Sequence, residues 1–255
     1  MTPAAERIVR WLDSQLASSG ARGFVVGLSG GIDSAVVARL CQLTRQDATV
    51  GVLMPCHGDP QDEADARLVA DHFRLTTVRI DLAPVYDALV GAATDVMRET
   101  AALGYEQHPP DDIRARLPIA NVKPRLRMTT LYFVANTINH LVAGTGNRSE
   151  LTIGYFTKYG DGGVDVLPIG HLVKSEVRAL ARALGVPTRV IDKPPSAGLW
   201  IGQTDEGEMG FTYDELEVYL REGPQAVTPA VAMKIERLAR ASEHKKKPVP
   251  TPEPE

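Results

Sequence analysis

Cysteine is scarce in this chain, and the two cysteines that it has stand outside any metal-binding pattern. Cys41 and Cys56 form no C-x-x-C pair and do not lie in a histidine-rich stretch. This spacing indicates neither a disulfide framework nor a zinc site. It fits a reducing compartment, and we expect a cytoplasmic protein.

Long apolar runs and a strong net charge are also missing. No stretch reaches the roughly 18 uninterrupted apolar residues of a membrane span. The opening MTPAAERIVRWLDSQL carries acidic residues where a secretory signal has its apolar core. A formal net charge of -4 gives no overall attraction to nucleic acid or to membranes. We therefore expect an untargeted chain that binds neither nucleic acid nor membrane.

The residues that are present predict an α/β fold, a doubly wound parallel sheet with flanking helices. Short apolar runs rich in β-branched residues alternate with longer segments of helical period, as in sheets whose parallel strands are joined by crossover helices. The predicted strands are residues 24 to 28, 48 to 54, 75 to 81, 140 to 145 and 165 to 169, and the predicted crossover helices are 33 to 46, 61 to 73, 82 to 103 and 127 to 141.

One domain accounts for residues 1 to 244. Before the sheet, a first helix places Ile8, Val9, Leu12 and Leu16 on one apolar face. After it, further helices follow, and residues 245 to 255 form a basic and then proline-rich tail. We expect that tail to be flexible, because its composition offers no apolar surface to bury.

The stretch SGGIDS, residues 29 to 34, lies between the first predicted strand and the helix after it. Glycines and free N–H groups at a helix start form a cradle for phosphate. A Walker loop is excluded, because Ile32 and Asp33 stand where that motif needs glycine and lysine, and Ser29 breaks the dinucleotide-binding pattern. A tight turn capped by Asp33 or Ser34 is the purely structural alternative.

The S-G-G-x-D-S pattern resembles the pyrophosphate-binding loop of the N-type ATP pyrophosphatases. These enzymes cleave ATP between its α and β phosphates and adenylate a substrate oxygen. A carboxylate beside pyrophosphate needs a cation between them, so Asp33 is expected to hold Mg²⁺. The resemblance also implies the Rossmann-like fold of the adenine nucleotide alpha-hydrolases.

Further motifs narrow the resemblance to the ammonia-dependent NAD synthetases, ligases that form a C–N bond and convert deamido-NAD to NAD. After SGGIDS come NVKPRLRM (121 to 128), GTGNRSE (144 to 150), GYFTKYGDGGVD (154 to 165) and PSAGLWIGQTDE (195 to 206), in the order of that family. The resemblance extends from the first helix to about residue 245. It implies ATP as co-substrate, with ammonia and deamido-NAD as the other substrates.

The resemblance implies three catalytic residues, Asp33, Glu150 and Lys174. Asp33 and Glu150 would be the Mg²⁺ ligands, since two carboxylates from separate strand ends suit a hard cation that keeps most of its shell for water and phosphate. The family often has threonine where this chain has Ser196, which keeps the hydroxyl. The implied ATP-binding residues are Gly27, Leu28, Ser29, Gly30, Gly31, Ile32, Asp33, Ser34, Thr145, Lys174 and Ser196.

Deamido-NAD carries a pyrophosphate and a carboxylate, which explains a need for local cations in an acidic chain. By spacing alone, however, Arg125, Arg127 and the run HKKK (244 to 247) are more typical of solvated surface residues, and Lys174 of an exposed lysine. Only the family motifs favour a binding role. The implied deamido-NAD residues are Arg125, Lys158, Asp165, His244 and Lys245.

The expected reaction has two steps and needs no side-chain nucleophile. The nicotinate carboxylate attacks the α-phosphorus of ATP, and ammonia then displaces AMP from the acyl-adenylate. Relatives that use glutamine carry an extra N-terminal hydrolase domain with a nucleophilic cysteine. Too few residues precede the first strand here for such a domain, and we expect direct use of free ammonia.

Two expectations concern loops and assembly. The segment from about 192 to 213 is glycine-rich and is expected to be disordered without ligand and to act as a lid over the site, because an acyl-adenylate must be kept from water. The resemblance implies a homodimer, for which the apolar face of the first helix and the stretch LYFVANTINHL (131 to 141) offer candidate surfaces.

Two other functions remain open. Another N-type ATP pyrophosphatase would amidate a different carboxylate or carbonyl, with the same loop. A nucleotide sensor would bind ATP without turnover. Retention of both acids, Asp33 and Glu150, favours an active enzyme over a sensor.

Overall fold

The computed structural model describes residues 1–99, 112–196, 198, 200 and 203–252. Its sheet contains strands β1 (Phe24–Gly27), β2 (Thr49–Leu53), β3 (Thr76–Arg79) and β4 (Leu141–Val142). All are parallel, in the order β3-β2-β1-β4. From β1 the chain adds β2 and β3 on one side of the sheet and then crosses to add β4 on the other side of β1. The topological switch point, where the strand order reverses, therefore lies between β1 and β4. The predicted doubly wound parallel sheet is confirmed.

Helices cover both faces of this sheet. Among the described residues, no helix is both long and apolar enough to cross a bilayer. The helices are α1 (Pro3–Ser19), α2 (Ile32–Thr44), α3 (Pro60–Phe73), α4 (Ala83–Glu99), α5 (Ile113–Ala120), α6 (Val122–Ile138), α7 (Arg148–Ile153), α8 (Lys174–Leu184), α9 (Thr188–Ile191), α10 (Asp205–Met209), α11 (Tyr213–Glu222), α12 (Pro229–Ala241) and α13 (Glu243–Lys246).

The central strand β1 is buried between two apolar clusters. Phe24 and Val26 pack into the cluster formed with α1, α2 and α8, whereas Val25 packs into the cluster on the α4 and α6 side. This alternation follows from the two-residue period of a strand. Because both faces of β1 are covered, its carboxyl end holds the loop that follows in a fixed position.

The apolar face of α1 is used inside the chain. Ile8, Leu12 and Leu16 are buried in the same cluster as α2. The expectation that this face offers a surface for a second copy is therefore wrong, because its side chains already cover α2. Trp11, beside that face, is 40% exposed.

The predicted fifth strand at residues 165 to 169 is wrong. Only one isolated parallel bridge forms there, between Ala143 and Val166. Pro168 has no N–H to donate to a ladder. In a continuous ladder, the N–H of Val142 would donate to a backbone carbonyl of the neighbouring strand. Here it donates to Asp165 Oδ2 at 2.8 Å instead.

The predicted crossover helices form with ends shifted by at most two residues, except for the last helix and for the part of the third that lies outside the described residues. The helix expected at 127 to 141 begins earlier, at Val122, since Pro124 is tolerated in a first helical turn. It ends at Ile138, because Asn139 adopts a left-handed conformation with φ of 58°. The helix expected at 82 to 103 is described as far as Glu99, and its last predicted residues lie outside the described part of the chain.

The C-terminal third forms a small apolar core of its own beside the sheet. It is built by α7, α10, α11 and α12, with Tyr213, Leu216 and Ile235 at its centre. Helix α13 continues past the expected domain limit at residue 244. Lys245 donates to the carbonyls of Gly154 and Phe156 at 2.9 and 2.7 Å. The first residues of the predicted flexible tail are thus hydrogen bonded, and residues 253 to 255 lie outside the described chain.

Candidate active site

The loop between β1 and α2 is shaped by its own two serines. The hydroxyl of Ser34 donates to the carbonyl of Gly31 at 2.9 Å and accepts from the N–H of Ser29 at 3.3 Å. The N–H of Gly31 donates to the Ser29 hydroxyl at 3.3 Å. These short-range bonds fix the turn just before the start of α2, where free N–H groups and the helix dipole favour an anion.

Gly30 is required at the tip of this loop. Its φ is +78°, and a Cβ built there would lie 2.2 Å from the carbonyl oxygen of Asp62 in α3. A side chain is thus excluded both by the backbone conformation and by the close approach of α3. The glycine lets the loop pack directly on that helix.

Three charged side chains converge beside the loop. Lys174 Nζ, on the first residue of α8, lies 2.6 Å from Asp33 Oδ2 and 3.4 Å from Glu150 Oε1. Asp33 stands in the first turn of α2 and Glu150 in the first turn of α7. Three helix starts therefore bring two carboxylates and one ammonium to the carboxyl edge of the sheet.

Asn147 holds the two acids in relation to each other. Its side-chain oxygen accepts the N–H of Glu150 at 3.1 Å, its own N–H donates to Glu150 Oε2 at 3.2 Å, and its Nδ2 donates to Asp33 Oδ1 at 3.1 Å. The first two bonds are a capping box. Asn147 is fully buried, so this arrangement is fixed by packing as well as by hydrogen bonds.

Burial and mutual attraction set the protonation of this group. Burial raises the pKa of Glu150, against the lowering effect of the Lys174 ammonium. Burial by itself lowers the pKa of Lys174, but the attraction of Asp33 and Glu150 outweighs it and the pKa is raised. Lys174 is 2% exposed, and it is a charged counter-ion at neutral pH.

The two carboxylates fit a hard divalent cation. Both acids already contact the Lys174 ammonium, so their oxygens reach a common position. Where a protein supplies few carboxylates, Mg²⁺ completes its shell with water and phosphate. Within the described residues, no group of three or more histidine, cysteine or acidic side chains forms a closed metal cage. A metal held by these two carboxylates would take its other ligands from water and from a bound nucleotide.

A cavity of about 1030 Å³ opens at this edge of the sheet. It is large enough for a nucleotide together with a second substrate. The lining includes these residues predicted for ATP, metal or deamido-NAD: Gly27, Leu28, Ser29, Gly31, Ile32, Asp33, Ser34, Arg125, Thr145, Glu150, Lys158, Lys174, Ser196, His244 and Lys245.

Two predicted site residues do not line the cavity. Gly30 turns toward α3, as described above. Asp165 accepts the hydroxyl of Tyr132 at 2.9 Å and the N–H of Val142 at 2.8 Å. In this chain its carboxylate joins α6 to β4.

The predicted substrate residues of the C-terminal region meet at one end of the cavity. Lys158 Nζ donates to the carbonyl of His244 at 2.8 Å. Lys245 Nζ lies 5.4 Å from the ring centroid of Phe156 and donates to backbone carbonyls on either side of Tyr155. Burial lowers the pKa of Lys245. The basic run that spacing alone assigns to solvent thus folds back on the GYFTKYGDGG segment.

Sequence reasoning missed Asn147, which is buried behind the two acids, and Lys193, which lines the cavity. Asn147 lies inside a quoted motif, where its spacing to Glu150 is a capping signal. Lys193, just before the predicted Ser196, pairs with Asp62 at 2.7 Å and Asp65 at 2.8 Å. No local pattern links a lysine to acids about 130 positions earlier in the chain.

Arg127 also lines the cavity, although its spacing suggested a surface residue. Its Nε points at the carbonyl of Met54 at 3.5 Å, and burial lowers its pKa. The predicted lid, 192 to 213, is described in part. It contains Lys193 and α10, residues 197, 199, 201 and 202 lie outside the described residues, and its ordering by ligand stays a prediction.

Comparisons with known proteins show the family of this chain. The NAD synthase family model matches residues 4–249. The chain is 49% identical over 242 residues to the NH(3)-dependent NAD(+) synthetase of Carboxydothermus hydrogenoformans, covering 95% of this chain and 93% of that protein.

Solved structures of similar proteins share the fold over nearly the whole chain. The NMN synthetase from Francisella tularensis has a TM-score of 0.87 at 36% identity and covers 99% of both chains. The NH3-dependent NAD synthetase from Campylobacter jejuni has a TM-score of 0.77 at 27% identity, with 98% and 97% covered. The chain therefore belongs to the NAD synthase family, which confirms the family and the ammonia-dependent C–N ligase activity predicted from its motifs.

Proposed function

We propose that the cavity adenylates the nicotinate carboxylate of deamido-NAD with ATP and then amidates it with ammonia, giving NAD, AMP and pyrophosphate. The observation that carries the proposal is the convergence of Asp33, Glu150 and Lys174 beside the phosphate-type loop. The cavity around them has room for both substrates.

Mg²⁺ would be held by Asp33 and Glu150. When bound with ATP, it supplies positive charge to the phosphate oxygens. The remaining contributions come from the chain itself. Free N–H groups at the start of α2 bind the β and γ phosphates, and the Lys174 ammonium neutralises charge on the departing pyrophosphate.

In the first step, an oxygen of the nicotinate carboxylate forms a bond to the α-phosphorus as the bond to the β-phosphate oxygen breaks. No side-chain nucleophile is needed, so positioning and electrostatics carry the catalysis. Thr145 and Ser196 are assigned to ATP. Arg125, Lys158 and Lys245 supply cations for the anionic groups of deamido-NAD.

In the second step, the nitrogen of ammonia attacks the acyl carbon, AMP leaves with the former carboxylate oxygen, and the nitrogen loses a proton to solvent or to AMP. Water must be kept out while the acyl-adenylate exists. The segment that carries Ser196 and Gln203 borders the cavity and is suited to that task.

The decisive assay combines the purified protein with ATP, MgCl₂, ammonium chloride and deamido-NAD. NAD, AMP and pyrophosphate are expected in equal amounts, with no product from xanthylate or aspartate. Release of ADP instead of AMP, or ATP binding without turnover, would refute the proposal and favour a kinase-like activity or a sensor respectively.

A mononucleotide is the second candidate substrate, because the Francisella protein of TM-score 0.87 is described as an NMN synthetase. The acid counterpart of NMN carries the same nicotinate carboxylate without the AMP half. We expect deamido-NAD to give the higher kcat/KM. A reversed ratio in parallel assays of both substrates would assign this chain to NMN synthesis.

We also propose a homodimer that uses the face formed by α4, α5 and α6. Several large apolar side chains are exposed there, which is unusual for a monomer's surface. They are Val85, Leu89, Val96, Leu117, Ile119 and Phe133, the last 71% exposed. Sedimentation should give twice the 27.6 kDa chain mass, and Phe133→Asp should shift it toward the monomer.

A cytoplasmic location is proposed as well.

A further inference from the structure

The start of α8 is anchored by three side-chain oxygens. The N–H of Val173 donates to Glu176 Oε2 at 2.9 Å, that of Lys174 to the Ser149 hydroxyl at 3.3 Å, and that of Ser175 to Glu217 Oε1 at 2.7 Å. These donors have no partner inside a helix. Ser149 belongs to α7 and Glu217 to α11, so two other helices fix the first turn of α8.

Glu217 is a buried carboxylate that faces the start of α8. Its side chain is 6% exposed, and its second oxygen accepts the hydroxyl of Ser175. The only cation paired with it among the described residues is Arg221, at 3.9 Å on the exposed side. A buried charge needs strong compensation, and here the start of α8 supplies it through an N–H, a hydroxyl and the helix dipole.

The same face of α11 also contacts the Lys174 ammonium. Tyr213 lies one turn before Glu217, and its ring centroid is 5.0 Å from Lys174 Nζ. Its hydroxyl is held by Asp205 at 2.8 Å. Helix α11 therefore touches Lys174 at both ends, at the ammonium through Tyr213 and at the adjoining peptide through Glu217.

We propose that Glu217 is a positioning residue that holds Lys174 Nζ between Asp33 and Glu150 by fixing the first turn of α8. The proposal rests on the role of Lys174 proposed above. A shift of about 1 Å in a reacting group can cost about 100-fold in rate. Loss of the Glu217 acceptor should therefore lower kcat, with KM for deamido-NAD little changed.

The test compares Glu217→Met, which keeps the side-chain length but accepts no hydrogen bond, with Glu217→Gln, which keeps an acceptor oxygen. We expect kcat to fall about 10- to 100-fold in E217M and E217Q to retain most of the activity. Glu215→Met is the matched control. Glu215 caps the start of α11 at the N–H of Thr212, and no hydrogen bond or ion pair joins it to α8 among the described residues.

The accessibility of the Lys174 amine, which depends on its position, is measured separately by acetylation with acetic anhydride followed by mass spectrometry. Lys174 should react faster in E217M while Lys123, also buried, keeps its parental rate. A global loss of stability would raise both rates and would overturn the proposal. Equal kcat in folded E217M and parent, or equal impairment of E217M and E217Q, would overturn it too.

Two further variants keep the outcome decisive. If E217M does not fold, Glu217→Ala leaves space for a water to reach Ser175 and is measured in its place. Lys174→Met separates the two claims. Full activity of K174M would refute the role of Lys174, whereas the labelling result bears on Glu217 alone.

Discussion

The ammonium of Lys174 lies 2.6 Å from a carboxylate oxygen of Asp33, although the two residues are 141 positions apart in the chain. The pair joins the first turn of α2 to the first turn of α8. Because Glu150 shares the same ammonium, one lysine balances two acids at the point where the sheet changes its winding direction.

Replacing Lys174 by methionine should lower kcat about 100-fold or more, since a preorganised charge beside the departing phosphate is lost. Steady-state rates of AMP release measure the effect. Lys247→Met is the control, because Lys247 is 66% exposed and pairs only with Glu243 among the described residues. Parental kcat in folded K174M would contradict the assignment.

Asp33→Asn and Glu150→Gln should each raise the Mg²⁺ concentration for half-maximal activity about tenfold or more, because a carboxylate ligand is lost. Chelation with EDTA should abolish activity, and added MgCl₂ should restore it. Asp214→Asn, at the exposed start of α11, should behave like the parent. An unchanged Mg²⁺ requirement in both site variants would place the metal elsewhere.

Gly30→Ala should lower the free energy of unfolding by about 1 to 3 kcal/mol, because a positive φ and a backbone contact are both violated. Urea denaturation measures this. Gly91→Ala is the control, since nothing lies within 4 Å of a Cβ built there in α4, and it should stabilise slightly. A stable, fully active G30A protein would show that the close approach to Asp62 is dispensable.

The ion pairs of Glu63 should make stability depend on acid pH. Hydrogen bonds from Arg79 and Arg67 lower the pKa of Glu63 to about 2. A lowered pKa contributes stability that is complete above the unfolded value of about 4.3 and is lost as the pH falls toward 2.

The measurement compares urea midpoints of the parent and Glu63→Gln from pH 6 to pH 2. E63Q should be less stable at pH 6, and the difference should vanish near pH 2. Glu222→Gln, at the exposed end of α11, serves as control. A difference that stays constant over this range would rule out the ion pairs as its cause.

Asp165→Ala should destabilise the fold by about 1 to 3 kcal/mol, because the N–H of Val142 loses its acceptor. Tyr132→Phe removes one hydrogen bond only and should cost about 1 kcal/mol. The KM for deamido-NAD, measured on the same variants, tests the predicted substrate role. A raised KM without loss of stability would show that Asp165 binds substrate and that its contacts with Tyr132 and Val142 are not its main role.

Much of the fold could be predicted, because the strands at Phe24–Gly27 and Thr49–Leu53 have both faces buried and read as continuous apolar runs. The failure at residues 165 to 169 has a local cause. The apolar character of this run favours a strand. However, Pro168 has no N–H to donate to a ladder, and the carboxylate of Asp165 accepts the N–H of Val142 in place of a backbone carbonyl.

The candidate site, too, could be predicted only in part. Asp33, Glu150 and Lys174 were assigned by motif, and the structure brings them together. The spacing of Asn147 to Glu150 is a local capping signal. The bond from Asn147 to Asp33 and the contacts of Lys193 and Glu217 could not be predicted, because these partners lie far away in the chain and are set by how helices pack. Local spacing carries no information on such contacts.

The anchoring of α8 by Glu217 has a consequence for biosynthesis. The phosphate loop leaves the ribosome early, but on the proposal above the lysine beside it is fully held in place only after α11 has been made and has folded against α8. A nascent chain that ends before α11 thus holds the acids of the site without a secured counter-ion. Under the same proposal, we expect nucleotide to stabilise the chain fully only late in its synthesis, after α11 has emerged.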